Sequence, residues 1–148
     1  MTRKPNVVRE RQAMLARMKP VLKAGIYHFC ATDDPVVAAA AAATSLALFR
    51  EDEGTSLVMA EADAIRHGFD LSMPMRRIVL EVFSALDGVG LTAAVATALA
   101  DAGIPCNMIA AHHHDNVFVP EPMARRAVDL LEDVQRMAAE AEMGGLDD

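Results

Sequence analysis

A chain of 148 residues forms one domain, or two very small ones that share a core. With 53% hydrophobic residues, ten methionines, five phenylalanines, one tyrosine and no tryptophan, it can fill a sizeable interior with aliphatic and thioether groups. A net charge of −7 repels a phosphate backbone on average, which argues against nucleic acid as a partner.

The first five residues lack the apolar stretch of a secretory signal, and no run reaches the ~18 apolar residues of a membrane span. A cytoplasmic protein with no membrane partner is therefore expected. Residues 8–18 read as a helix with Leu15, Met18 and Leu22 near one face, and Pro20 stops or bends it, so residues 1–20 form an amino-terminal helical segment. Residues 25–31 are β-rich and read as a strand. Thr32-Asp-Asp-Pro35 is a turn with N-cap chemistry, followed by an Ala-rich helix over residues 36–46. Two apolar-bearing runs, 46–51 and 55–60, flank Gly54 and predict a hairpin. Residues 61–67 make a short helix closed by Gly68, and 69–74 are a loose linker. These elements form a first half, residues 21–72.

The order then repeats over residues 73–140. Residues 75–84 read as a strand, and 88–102 as a helix with Leu91, Val95, Ala98, Leu99 and Ala102 on one stripe, ended by Gly103. Residues 104–111 and 117–119 form a second hairpin. Pro122 opens a last helix whose stripe is Ala127, Leu130, Leu131, Val134 and Met137, and residues 141–148 are a frayed tail. Cys30 and Cys106 cannot make a disulfide framework and read as buried, reduced thiols in apolar strands. Strand–helix–hairpin–helix, twice, implies an α+β arrangement of antiparallel sheets with helices on one face. Each half offers three strands, so a fourth must come from the other half or another chain. The halves are expected to pack together, and the protein to dimerise.

Three segments carry a resemblance. Phe49-Arg-Glu-Asp-Glu-Gly-Thr-Ser-Leu-Val58, Val82-Phe-Ser-Ala-Leu-Asp-Gly-Val-Gly-Leu-Thr-Ala-Ala-Val95, and Gly103-Ile-Pro-Cys-Asn-Met-Ile-Ala110 with His114-Asp115 and Val117-Phe-Val119 resemble hallmark segments of a small bacterial ACT-domain family, formerly a domain of unknown function. The resemblance covers residues 22–131. It implies ferredoxin-like tandem ACT domains, akin to the regulatory pairs of aspartate kinases. It also implies amino-acid binding and allosteric regulation by a homodimer, with no cofactor and no catalysis. By this match the ligand turn is Asp87, Gly88, Val89, Gly90, Leu91 and Thr92, and the neighbouring strand is Asn107, Met108 and Ile109. The chain departs from the family pattern at residues 111–116, Ala-His-His-His-Asp-Asn, where relatives show Gly-Tyr-Tyr-His-Asp-His; two phenol donors are lost.

The residues of this turn suit a zwitterion. The N–H groups of Gly88, Val89, Gly90 and Leu91 at a helix start can donate to a carboxylate. Asp87 can accept from an ammonium, and the Asn107 amide can do both. A plainer reading has Asp87 capping the helix and the glycines only making the turn. Asn107 interrupts an apolar strand and is expected to be buried and hydrogen-bonded.

The run His112, His113, His114, Asp115 invites a metal reading, in which only His112 and His114 could converge from a strand, joined by Asp115. A hairpin turn favoured by Asp115 and Asn116 is the alternative. Arg50, Glu51, Asp52, Glu53 and Gly54 pair carboxylates as a catalyst might, but a solvated hairpin is the simpler reading; the resemblance, in which this segment is a hallmark, implies a structural role, with Arg50 and Glu51 locking the two halves by an ion pair. No Ser–His–Asp or Cys–His order and no phosphate loop is present.

Overall fold

The structure, a computed structural model, describes residues 4–82 and 89–144, with side chains from residue 11 onward. Its elements are α1 (Lys4–Arg17), β1 (Lys19–Leu22), β2 (Tyr27–Thr32), α2 (Pro35–Ala42), β3 (Ala47–Glu51), β4 (Gly54–Ala60), α3 (Glu61–Arg66), β5 (Met75–Glu81), α4 (Leu91–Asp101), β6 (Asn107–Ala110), β7 (Asp115–Pro120), a 3₁₀ turn (Glu121–Met123) and α5 (Ala124–Gly144). The chain divides into two compact units: Ala24–Arg77, and Met1–Lys23 together with Ile78–Asp148.

The first unit has the strand order β3-β4-β2-β5. Antiparallel registers bring Cys30 opposite Leu57 and Leu48 opposite Leu57 from the other side. Its fourth strand is the beginning of β5, where Met75 pairs with Tyr27. α2 starts as the sequence implies, since Asp34 Oδ1 accepts from the Val36 amide at 2.9 Å and Pro35 opens the first turn. It ends at Ala42, earlier than expected. The hydroxyls of Thr44 and Ser45 donate to the Ala41 carbonyl at 3.4 and 2.9 Å, which offers the backbone an alternative to another helical turn. Cys30, Ala41, Leu57, Met59 and Ala64 form the core, with Phe69 against it.

The second unit has the order β1-β5-β7-β6, and here the missing fourth strand is β1. It pairs antiparallel with β5, Lys19 opposite Glu81 through Leu22 opposite Ile78. Pro20 therefore sits inside a strand and not at a bare helix stop. An edge strand tolerates it, because its missing N–H can face away from the ladder. Each unit thus owns three strands and takes a fourth from elsewhere in the same chain, the ferredoxin-like order.

Met18, Ile78, Leu80, Val95, Leu99 and Leu131 lead the second core. Two expectations are corrected here. Met137 lies 67% exposed, off the buried stripe of α5, and that helix runs to Gly144, through the first part of the expected tail. Arg126 donates to the Ala102 carbonyl at 2.9 Å and so closes the carboxyl end of α4, where Gly103 takes φ +72°. Among the described residues no helix is long and apolar enough to cross a membrane.

Candidate ligand site

α4 begins at Leu91, three residues later than the sequence suggests. Gly90 stands before it at φ +103°, a backbone state that interrupts a helix and that glycine adopts without strain. The first helical hydrogen bond runs from the Ala94 amide to the Gly90 carbonyl at 3.0 Å. Amides of the opening turn therefore lack intrahelical acceptors, and among the described residues no side chain caps them and no acidic residue stands in that turn. Val89 is 56% exposed, Thr92 is exposed and Leu91 is buried in the core. Asp87 and Gly88 lie outside the described residues.

Asn107, Met108 and Ile109 form the start of β6, opposite Phe118, Val117 and Asn116. Asn107 is exposed, whereas burial was expected, because the strand only begins there; Met108 and Ile109 are half-buried. The eleven residues of α4, about 16 Å of helix, lie between Gly90 and the approach to Asn107. Gly90 opens α4, and Asn107 follows its far end.

His112 and His113 are exposed in the turn between β6 and β7, their rings edge to face with centroids 4.9 Å apart. The Ala111 amide donates to the His114 carbonyl at 3.1 Å, so residues 111–114 close a tight turn in which strand alternation no longer applies. Asn116 Nδ2 reaches the carbonyls of Ile109 and His114, each at 3.4 Å. Among the described residues no three His, Cys, Asp or Glu side chains converge as a metal cage, which removes the support for a His112–His114–Asp115 centre.

Burial pushes the Asp115 carboxyl above the usual carboxylate range, and the His114 charge offsets part of this. A raised folded value means the ionised form is disfavoured in the native state, so this site weakens the fold as pH rises through the carboxylate range. Asp115→Asn is expected to raise the urea midpoint at pH 7, with the gain vanishing near about pH 3, where the carboxyl is protonated folded or unfolded. Midpoints measured at both pH values check this.

In the first unit, an open hollow of ≈ 380 Å³ is lined by Ala31, Thr32, Asp33, Glu51, Glu53, Gly54, Thr55 and Ser56. Ser56 Oγ donates to Glu51 Oε1. Glu51 is thus tied within its own hairpin. Ion pairs among the described residues include His28–Glu61, Arg66–Asp63 and Arg136–Asp133. Gly54, at φ +148°, lets the hairpin approach Thr32 closely.

His28 carries a feature that sequence reasoning passed over. It is 1% exposed on the helix-facing side of β2, Nε2 lies 2.8 Å from Glu61 Oε2, and its buried Nδ1 has no hydrogen-bond partner among the described residues. A lone histidine alternating with Cys30 in an apolar strand was the available signal. Burial and the nearby Asp70 charge push the Cys30 thiol up, and burial does the same to Cys106. Both cysteines are free; Cys106 is half-buried and precedes β6.

Family models of the ACT domain match residues 8–76 and 74–133, one per repeat of the strand order. The chain belongs to the ACT-domain family. ACT domains are regulatory, ligand-binding modules of ferredoxin-like fold. No curated protein sequence matches the chain. Among solved structures, this ACT protein is similar to a Vibrio cholerae protein of unknown function described as a possible transport protein, with 35% identity over 87% of this chain and 98% of that one and a TM-score of 0.77. An Agrobacterium tumefaciens protein shares the fold at 18% identity, with 80% and 90% of the two chains covered and a TM-score of 0.64. So does the ligand-free regulatory subunit of aspartate kinase from Thermus thermophilus, at 10% identity, 78% and 95% coverage and a TM-score of 0.59.

Proposed function

We propose that this ACT protein is a non-catalytic cytoplasmic regulator that binds a small molecule of the amino-acid class and works as a homodimer. The observation that supports it is the opening of α4: a helix start that no described side chain caps, with an exposed approach at Val89 and Thr92, where backbone donors would meet a carboxylate. Asp87 and Gly88 would complete that turn. Asn107, Met108 and Ile109, at the other end of α4, would serve the second unit's sheet instead of the carboxylate. The edge position of β3 in its unit, with Leu48 41% and Phe49 71% exposed, supports dimerisation, since an uncovered apolar edge strand is satisfied by pairing with its own copy.

Calorimetric titration and thermal-shift screening against the twenty amino acids test the reading. At a ligand concentration of about 100 Kd, a true ligand adds about 2.7 kcal/mol to stability. At least one amino acid is expected to raise Tm. A folded protein that responds to none of them would sink the ligand reading.

A further inference from the structure

β3 is the edge strand of the first unit's sheet, and its strand neighbour among the described residues is β4. In β4, Leu57, Val58 and Met59 are buried. In β3 no residue is buried, and Phe49, the bulkiest of the five, is 71% exposed. Residues 35–49 contain no Asp, Glu, Lys or Arg, so a chain of net charge −7 offers a neutral approach here. Charge returns at Arg50 and Glu51, at the far end of the strand.

Strand pairing assigns the faces. Phe49 lies opposite Ser56 and Ala47 opposite Val58, and across β4 those two stand opposite Ala31 and Phe29. Ala47, Phe49, Ala31 and Phe29 therefore share one face of the sheet, on which Phe29 is also exposed. Leu48, opposite the buried Leu57, points to the helix-facing side.

Two copies joined edge to edge in one sheet are related by a two-fold axis perpendicular to it, which keeps every residue on its own face. Opposed residues must share a face, so the axis passes through a residue and not between two. An axis at Phe49 sets residues 47–51 against 51–47 and uses the whole strand. An axis at Leu48 or Arg50 pairs residues 47–49 or 49–51 alone, and the latter sets Arg50 against its own copy, a like-charge pair. The Phe49 register opposes no like charges. Arg50 meets Leu48 of the second copy, Glu51 meets Ala47, and the two Phe49 rings form an aromatic cross-strand pair.

We propose that β3 pairs antiparallel with β3 of a second copy in the register centred on Phe49, which joins the two first-unit sheets into one. The inference rests on the homodimer reading above and assigns its surface and the residue on its axis.

Leu48→Cys, Phe49→Cys and Arg50→Cys, made one at a time in the full chain, test it, with the parent chain and its free Cys30 and Cys106 as control. In this register the two Cα atoms at position 49 stand about 4.5–5.5 Å apart, within disulfide reach. Those at 48 or at 50 are offset by two residues along the strand, roughly 8 Å apart and beyond it. Oxidised Phe49→Cys is expected to run as a covalent dimer on non-reducing gels, and the other two variants and the parent as single chains. Phe49→Asp sets like charges opposite one another and is expected to shift sedimentation from dimer to monomer, with the circular dichroism of the parent. Crosslinking through Leu48→Cys or Arg50→Cys but not Phe49→Cys overturns the register. A Phe49→Asp chain that stays dimeric overturns the β3 interface and leaves the homodimer reading standing. A parent chain that sediments as a monomer at every concentration overturns both.

Discussion

Gly54→Ala is expected to destabilise the first unit by about 2–4 kcal/mol, the sum of a strained backbone and a steric overlap. The residue sits at φ +148°, and an added Cβ would stand 2.5 Å from the Thr32 carbonyl oxygen and 3.1 Å from Asp33 Cα. These neighbours are backbone, which cannot swing aside as a side-chain end can. Thr32 is also paired with Thr55, so relief of the overlap would break the end of the β2–β4 ladder. Urea unfolding followed by circular dichroism measures the loss. A midpoint equal to wild type would mean the hairpin is free to shift, and that the hollow beside it has no fixed floor.

Removing residues 1–23 is expected to unfold the second unit and spare the first. The truncation takes β1 away from β5 and leaves Ile78, Val79, Leu80 and Glu81 without their β1 partners. It also empties the places of Leu15, Ala16 and Met18, which are 8%, 8% and 1% exposed. Truncating one buried methionine to alanine alone costs about 2–5 kcal/mol, against a whole-domain stability of about 5–15 kcal/mol. Hydrogen exchange on a chain starting at Ala24 separates the units. Amides of β2 and β4 should stay protected, and those of β7 and α5 should exchange as in an unfolded chain. Full protection of α5 would show that the amino-terminal strand is dispensable.

The local features of this fold were legible in the sequence. Asp34 and Pro35 announced the start of α2, Gly68 and Gly103 the ends of α3 and α4, and the Gly54 hairpin its two strands. Each rests on backbone chemistry within a few residues. β1 was not legible. Lys19-Pro-Val-Leu22 is short and contains proline, and its strand character comes from β5, more than fifty residues away. The site was read less well for the same reason. Asn107 looked buried because its neighbours are apolar, but its position at the first pair of β6 leaves it exposed. The opening of α4 was placed too early because a positive φ at Gly90 cannot be told from the permissive φ of any glycine. Arg11 packs against that glycine from 79 positions away, a contact with no sequence signature.

The interleaving of the strands bears on how the chain assembles as it leaves the ribosome. The strand Lys19–Leu22 is synthesised before the first unit, yet its partner residues 78–81 emerge only after that unit is complete. The first unit can therefore form during synthesis while β1 waits. Its folding brings Tyr27 beside Met75, and so delivers Leu22 to Ile78, its own partner three residues further along. A long loop is closed by a folded insert, which removes most of the chain entropy that pairing β1 with β5 would otherwise oppose. Damage to the earlier unit is thus inherited by the later one as a folding delay, even where none of the later unit's residues is changed.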